Sequence, residues 1–318
     1  MNSGMTSDQT VAEVGEFGLI DRIRAVLPPG GAAVVGPGDD AAVLDVSGPL
    51  LISTDLVLEG RHFRRDWCDA ADVGHRAVAR SLADISAMGG VATALTVGIA
   101  LPGDLPVAWV LEAVAGMVEE AGLVGAEIVG GDITRSDSVL LAVTAVGVCA
   151  GSPVLRSGAR PGDVVALVGR VGWAAAGLAV LARGFRSPRV VVEAYRRPSP
   201  PYAAGPQALE AGATSLVDVS DGLLADLGHV AAASGVLIDI DPAAFGEIPE
   251  PLTAVAAAVG ADPLGFVLAG GDDHAFAATF PLGSVPEGWS VIGKVLEGSG
   301  ITVSGEQFEG SPGHEHFR

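Results

Sequence analysis

The sequence predicts a chain of mixed structure, α+β or α/β, divided into two domains, and three observations carry that prediction. The chain has 318 residues, more than one hydrophobic core usually serves. Strand-like runs of β-branched residues alternate with helix-like periodicity in both halves. Each half also holds a strand that stops in glycines followed by acids, Gly130-Gly131-Asp132 and Gly270-Gly271-Asp272-Asp273. Gly151-Ser152-Pro153 marks the break. Residues 1–14 are expected to be disordered, 15–150 to form an N-terminal domain and 151–318 a C-terminal one.

Taken in order, Leu19, Ile20, Ile23, Val26 and Leu27 form an amphipathic set that predicts a helix ended by Pro28-Pro29. Residues 41–46 and 50–53 flank Ser47-Gly48 and read as a tight hairpin, because Gly accepts the positive φ of such a turn. Centred there, the hairpin places Asp40 opposite Asp55. A polar loop, Glu59-Gly60-Arg61-His62-Phe63, leads to a helix over 69–88 with Val73, Ala77, Leu82 and Ile85 on one side. Within it Asp84 follows Arg80 by one helical turn, the spacing of an ordinary ion pair. A strand over 93–101, a helix over 106–122 entered by Pro106, and a strand over 139–149 complete the first half.

The second half restarts with a strand over 164–168 and a small-residue helix over 173–183. Residues 196–201, RRPSPP, make a stiff connector. A strand over 215–219 runs into Ser220-Asp221-Gly222. Leu223, Leu224, Leu227 and Val230 then give a helical stripe, so Ser220 or Asp221 is expected to cap that helix. A strand over 236–240 and helices over 252–259 and 263–268 precede the second acidic turn.

Composition removes several classes of function. The net charge is −20 and Lys294 is the only lysine, which fits neither nucleic acid nor an anionic membrane as a partner. Hydrophobic residues make up 49% of the chain and the mean hydropathy is +0.46, so a membrane protein has to be considered. The long uncharged stretch over 85–103 is interrupted by Gly and Pro and reads as buried strands and their connections. Asp8, Glu13 and Glu16 near the start argue against a signal peptide. Cys68 and Cys149 lack metal-type spacing, and a reducing cytoplasm is the expected compartment.

Asp39, Asp40, Asp55, Asp132, Asp218, Asp221, Asp272 and Asp273 all fall at strand ends or turns. One such Asp beside Gly is a turn residue; so many together point to an oxygen-lined site for a hard cation such as Mg²⁺. The hydroxyls of Ser53 and Thr54 lie beside Asp55 in sequence. A carboxylate site without His or Cys ligands favours phosphoryl transfer over zinc hydrolysis. No G-x-x-x-x-G-K-[ST] loop and no G-x-S-x-G elbow is present. Metals, Arg residues and glycine amides would therefore hold a nucleotide's phosphates in place of a lysine cradle.

The motifs GEFGLI at Gly15, GPGDDAAVL at Gly36, LISTDLVLEGRHF at Leu51, SLADISAMG at Ser81, GGDITR at Gly130, RSGARPGD at Arg156, VSDGLLADLGH at Val219 and AGGDDHAF at Ala269 closely resemble the thiamine-monophosphate kinase family. The resemblance implies the fold of the aminoimidazole-ribonucleotide synthetase superfamily. There an N-terminal sheet domain joins that of a second copy into a dimeric barrel, and a C-terminal α/β domain follows. It implies ATP-dependent phosphorylation of thiamine monophosphate to thiamine diphosphate by direct transfer in a homodimer. By the same resemblance Asp40, Ser53, Thr54, Asp55, Asp84, Asp132, Asp218 and Asp221 would hold several Mg²⁺ ions. Gly131, Asp132, Arg156 and Ser220 would hold ATP, and His62, Asp272 and His314 would face the thiamine substrate. No catalytic side chain is implied. The chain departs from the family pattern where GGED and an aromatic are usual, having Asp272, Asp273 and His274, and again at His314, where an aromatic is usual. Two other readings meet parts of the pattern: another ATP-using enzyme of the superfamily, and a non-catalytic acidic metal-binding protein, for which no EF-hand loop is present.

Overall fold

The computed structural model describes residues 9–28, 31, 33–35 and 42–314. They fall into two compact units, one drawn from Met1–Ile85 and Ala92–Val148, the other from Ser86–Val91 and Cys149–Arg318.

In the first unit α1 (Val11–Val26) begins at a capping box: the Thr10 hydroxyl accepts from the Glu13 N–H, and the Glu13 carboxylate accepts from the Thr10 N–H. Residues 11–14, expected to be disordered, are therefore its first turn. Gly15, at φ 69°, interrupts the helix, and Leu27 caps its end just ahead of the two prolines. β1 (Ala33–Val35) and β2 (Val43–Leu44) form a short antiparallel pair. There follow β3 (Leu50–Leu58), α2 (Ala70–Ser86), β4 (Gly90–Leu101), α3 (Val107–Gly122), β5 (Glu127–Arg135) and β6 (Leu140–Cys149).

The hairpin expected around Gly48 does not form. β2 pairs with β1, and β3 pairs antiparallel with β6 from Leu50↔Val148 to Leu58↔Leu140. All nine residues of β3 find partners on β6, whereas the local segment offers only a short ladder. The cost of closing the longer loop grows only with the logarithm of its length, so the longer ladder wins. Val143, not Asp40, is opposite Asp55; Asp39 and Asp40 lie outside the described residues. The sheet order is β3-β6-β4-β5, with β4 and β5 parallel.

The apolar side of α2 is buried as its spacing predicts, with Val73, Ala77, Leu82 and Ile85 all in the core. Gly74 and Gly116 allow α2 and α3 to cross closely. A Cβ on Gly74 would lie 1.9 Å from the Ala113 oxygen, and one on Gly116 would lie 2.1 Å from that of Ala71. Ser81 Oγ on α2 reaches the Val143 carbonyl of β6 at 3.0 Å, so the helix lies against one face of the sheet. The other face is open. Along β3, Leu51 and Val57 are buried while Ile52 and Leu56 are 63% and 52% exposed.

The second unit contains β7 (Val164–Val168), α4 (Trp173–Ala182), α5 (Arg189–Arg196), α6 (Ala204–Glu210), β8 (Ser215–Val219), α7 (Leu223–Ser234), β9 (Leu237–Ile240), α8 (Glu250–Val259), α9 (Pro263–Ala269), β10 (Ala275–Phe280), β11 (Ser290–Leu296) and β12 (Gly300–Val303). Six strands form one sheet in the order β12-β9-β11-β7-β10-β8, antiparallel except between β9 and β12. β8 and β10 are buried on both faces, which explains their nearly unbroken apolar sequences. Phe280 meets Trp289 edge to face, with ring centroids 5.4 Å apart. α5 and α6 have no counterpart in the sequence reading. Val190-Val191-Val192 weakens the helix signal of α5 and Pro206 that of α6, and burial of Val191, Val192, Ala194 and Tyr195 outweighs propensity in α5. Among the described residues no single helix is long and apolar enough to cross a membrane. Cys68 and Cys149 are buried free thiols.

Candidate active site

In the first unit β3 presents Ser53 and Asp55 to α2. Ser53 Oγ donates to Asp84 Oδ2 at 2.5 Å, and Arg80 Nη2 lies 4.0 Å from Asp55 Oδ1. Asp55 and Asp84 thus sit at one strand–helix seam; the hairpin that was expected to bring Asp55 beside Asp40 is absent. Thr54 points the other way because strand side chains alternate, and its hydroxyl bonds that of Thr144 at 2.9 Å. Thr54 offers the seam only its backbone. Asp132 is exposed on β5, following Gly131, whose Cβ, if present, would lie 2.1 Å from the Val97 oxygen. In the loop after β3 the Leu58 N–H donates to His62 Nδ1 at 3.0 Å. With Nδ1 accepting, the ring proton sits on Nε2, the arrangement of a donor to an anion.

In the second unit Asp218, Ser220, Asp221, Asp272 and His314 converge on the turn between β8 and α7, whereas Arg156 is not brought there: it lies at the far end of α7, against Ser234. Asp218 is buried at the end of β8, with Ser220 and Asp221 half-buried just after it. The Asp272 N–H donates to the Ser220 carbonyl at 2.7 Å, and the His314 N–H donates to that of Asp221 at 2.9 Å. The 270–273 turn and the C-terminal segment are therefore laced to the loop that follows β8. Arg156 lies exposed in a short 3-10 turn, Arg156–Gly158, which α7 holds through Ser234 Oγ and the Arg156 carbonyl at 2.9 Å.

Neither Ser220 nor Asp221 caps α7, as the sequence suggested; Gly222 occupies the N-cap without a side-chain bond. The work falls to Asp226, whose Oδ2 accepts from the backbone N–H groups of Ser220, Asp221 and Gly222, each at 3.0 Å. Sequence reasoning missed this residue. Its signal is an acid in the first turn of a helix that follows a strand end, facing back over the turn. His274 was likewise read only as a departure from a pattern. Its buried ring places Nδ1 3.0 Å from Asp218 Oδ2.

Negative charge is concentrated here. Burial pushes the Asp226 carboxyl up to about 7; the Asp218 charge adds to this, the Gly222 N–H opposes it, and the Asp221 charge raises it further. Asp221, Asp226 and His229 bring one ligand atom each within 4.8 Å of one another. Asp273 is buried behind the turn, with Oδ1 accepting from the Ala174 N–H at the start of α4 at 2.9 Å. Burial drives its pKa to about 7 as well. Crowded carboxylates of this kind, supplied with hydroxyl and backbone oxygens, fit a hard divalent cation, whose charge relieves their repulsion.

Residues 38–149 match the family model of the AIR synthase related protein N-terminal domain, and residues 160–306 that of the AIR synthase related protein C-terminal domain. The thiamine-monophosphate kinase of Mycobacterium tuberculosis is 45% identical over 98% of this chain and 94% of its own length. The crystal structure of thiamine-monophosphate kinase from Stenotrophomonas maltophilia K279a shares 31% identity and a TM-score of 0.81, covering 91% of this chain and 96% of that one. The structure of AaThiL complexed with AMPPCP and TMP shares 28% identity and a TM-score of 0.79, covering 99% of this chain and 100% of that one. With motifs, two-domain fold and full-length similarity in agreement, the chain belongs to the thiamine-monophosphate kinase family.

Proposed function

We propose that this chain transfers the γ-phosphate of ATP to thiamine monophosphate, giving ADP and thiamine diphosphate, with Mg²⁺ held by its strand-end carboxylates. The observation that carries the metal assignment is the pairing of oxygen-rich donor sets with family identity: Ser53, Asp55 and Asp84 in one unit, Asp218 and Asp221 in the other. Asp40 and Asp132 complete the proposed ligands, with Thr54 contributing through its backbone. Magnesium, when bound, supplies neutralisation of the phosphate oxygens.

The chain's own residues set the rest. The acceptor is a phosphate oxygen already ionised at neutral pH, so no strong general base is needed and none is assigned. Gly131 lies where a side chain would strike its ladder partner Val97, so glycine keeps β5 paired with β4 beside Asp132; its backbone would meet the nucleotide. Ser220 binds an ATP phosphate through its hydroxyl; Arg156, at the far end of α7 from Ser220, is kept as a nucleotide contact by family resemblance. His62, with its proton on Nε2, donates to the substrate, and Asp272 and His314 border the thiamine group. Transfer is direct and in line, without a covalent enzyme intermediate.

The enzyme works as a homodimer in this reading. The open sheet face supports it: Leu50, Ile52, Leu56 and Val91 expose large apolar side chains that a second copy would cover. Its compartment is the cytoplasm, in keeping with two free thiols. The test is thermal: Mg²⁺ with a non-hydrolysable ATP analogue is expected to raise the melting temperature by more than the sum of the separate shifts, because they share a site. Additive or absent shifts would contradict a shared metal–nucleotide site.

A further inference from the structure

We propose that in this chain, where the family pattern has an aromatic, His274 is a positioning residue that orients the Asp218 carboxylate for ligating a divalent cation. The inference rests on the reading of Asp218 as a metal ligand and adds a partner to it. His274 stands at the end of the Gly270-Gly271 turn with φ 53°, left-handed backbone that few residues other than Gly adopt, His, Asn and Asp more readily than most. The strand ladder fixes it there: its N–H donates to the Val219 carbonyl at 3.0 Å, and Phe276 is in register with Asp218. The ring is only 2% exposed, and Nδ1 lies 3.0 Å from Asp218 Oδ2. Nε2 is buried and has no hydrogen-bond partner among the described residues.

A phenyl ring would fill this volume without burying a nitrogen that lacks a partner. The polar ring directs its hydrogen bond at Asp218. An ionised carboxylate only accepts, so the shared proton belongs to Nδ1. Oδ2 is thereby fixed, and Oδ1 would be the oxygen left to a cation. Hydrogen-bonded partners of ligating groups set their orientation, and losing one typically weakens metal affinity about 10- to 100-fold. His274 does not touch a reacting atom in this assignment; it acts through Asp218.

The test is a magnesium titration of the full-length protein, followed by melting temperature with a non-hydrolysable ATP analogue present, for the parent, His274→Phe, His274→Asn and Asp218→Asn. The Mg²⁺ midpoint is expected to rise about 10- to 100-fold in His274→Phe. It should return to within a few-fold of the parent in His274→Asn, whose amide can replace the Nδ1–H donor and tolerates positive φ. A midpoint unchanged in His274→Phe but raised in Asp218→Asn overturns the role of His274 alone. A midpoint unchanged in Asp218→Asn overturns the ligand reading beneath it. Equal rises in the Phe and Asn variants, or a lower melting temperature without a midpoint change, mean that His274 only shapes the turn. The unsubstituted protein gives a second readout that needs no variant to fold: ¹⁵N spectra of the imidazole are expected to show a protonated Nδ1, and a bare Nδ1 would overturn the proposal.

Discussion

Asp226→Ala removes the acceptor on which the β8–α7 turn hangs. Three backbone N–H groups converge on one carboxylate oxygen, those of Ser220 and Asp221 part-buried and that of Gly222 buried. Leaving a buried donor unpaired costs about 1–3 kcal/mol, and water can replace the acceptor at the two part-buried groups more cheaply than at Gly222. Loss of the carboxylate also relieves repulsion from Asp218 and Asp221. The expected net loss is about 2–4 kcal/mol, or roughly 5–15 °C in the melting temperature of a unit this size. Asp226→Asn keeps an accepting oxygen and drops the charge, so it is expected to stay within about 1 kcal/mol of the parent. The assay is urea unfolding at pH 7 without metal, joined to amide hydrogen exchange, which should quicken at residues 220–222 in the Ala variant only. A change below about 0.5 kcal/mol with unaltered exchange would refute the anchoring role of Asp226.

Asp273 gives a pH dependence of unusual sign. Its folded pKa is about 7 against an ordinary 3.8; the folded state therefore holds a proton that the unfolded state has released. Its stabilising contribution is complete below about pH 4 and is lost as pH rises through about 7, by at most about 1.4 kcal/mol per pH unit. Asp273→Asn should flatten that slope, and equal slopes in the two proteins would contradict it. Asp84→Asn and Asp218→Asn are each expected to lower kcat by at least about 100-fold while the fold persists, since positioning rather than packing is lost; near-normal turnover removes them from the site. Ile52→Asp with Leu56→Asp places charge on exposed positions of the open sheet face and should yield a folded monomer by light scattering, whereas a persisting dimer would locate the interface elsewhere.

Much of this architecture is legible where the pattern is local. The helix from Leu223 onward and the strand ending at Val219 follow from spacing within a dozen residues. The predicted acids of the second unit do meet at one turn. What the sequence hides is pairing between distant segments. Nothing near Leu50 says that its partner is Val148, so a local hairpin looks the better choice until the full ladder is seen. Asp226 and His274 escape for a related reason. Each acts on a group several residues away or on another strand, and neither lies at a motif position whose role the spacing reveals. Thr54 shows the limit of adjacency: its neighbours Ser53 and Asp55 face α2, while its own hydroxyl faces Thr144.

The measurement closest to the central claim is product formation from Mg-ATP and thiamine monophosphate, with free thiamine as the parallel substrate. Equal amounts of ADP and thiamine diphosphate from the monophosphate, and no phosphorylated product from thiamine, are expected. ADP released without thiamine diphosphate, or no turnover while ATP and Mg²⁺ still bind, would contradict the assigned reaction.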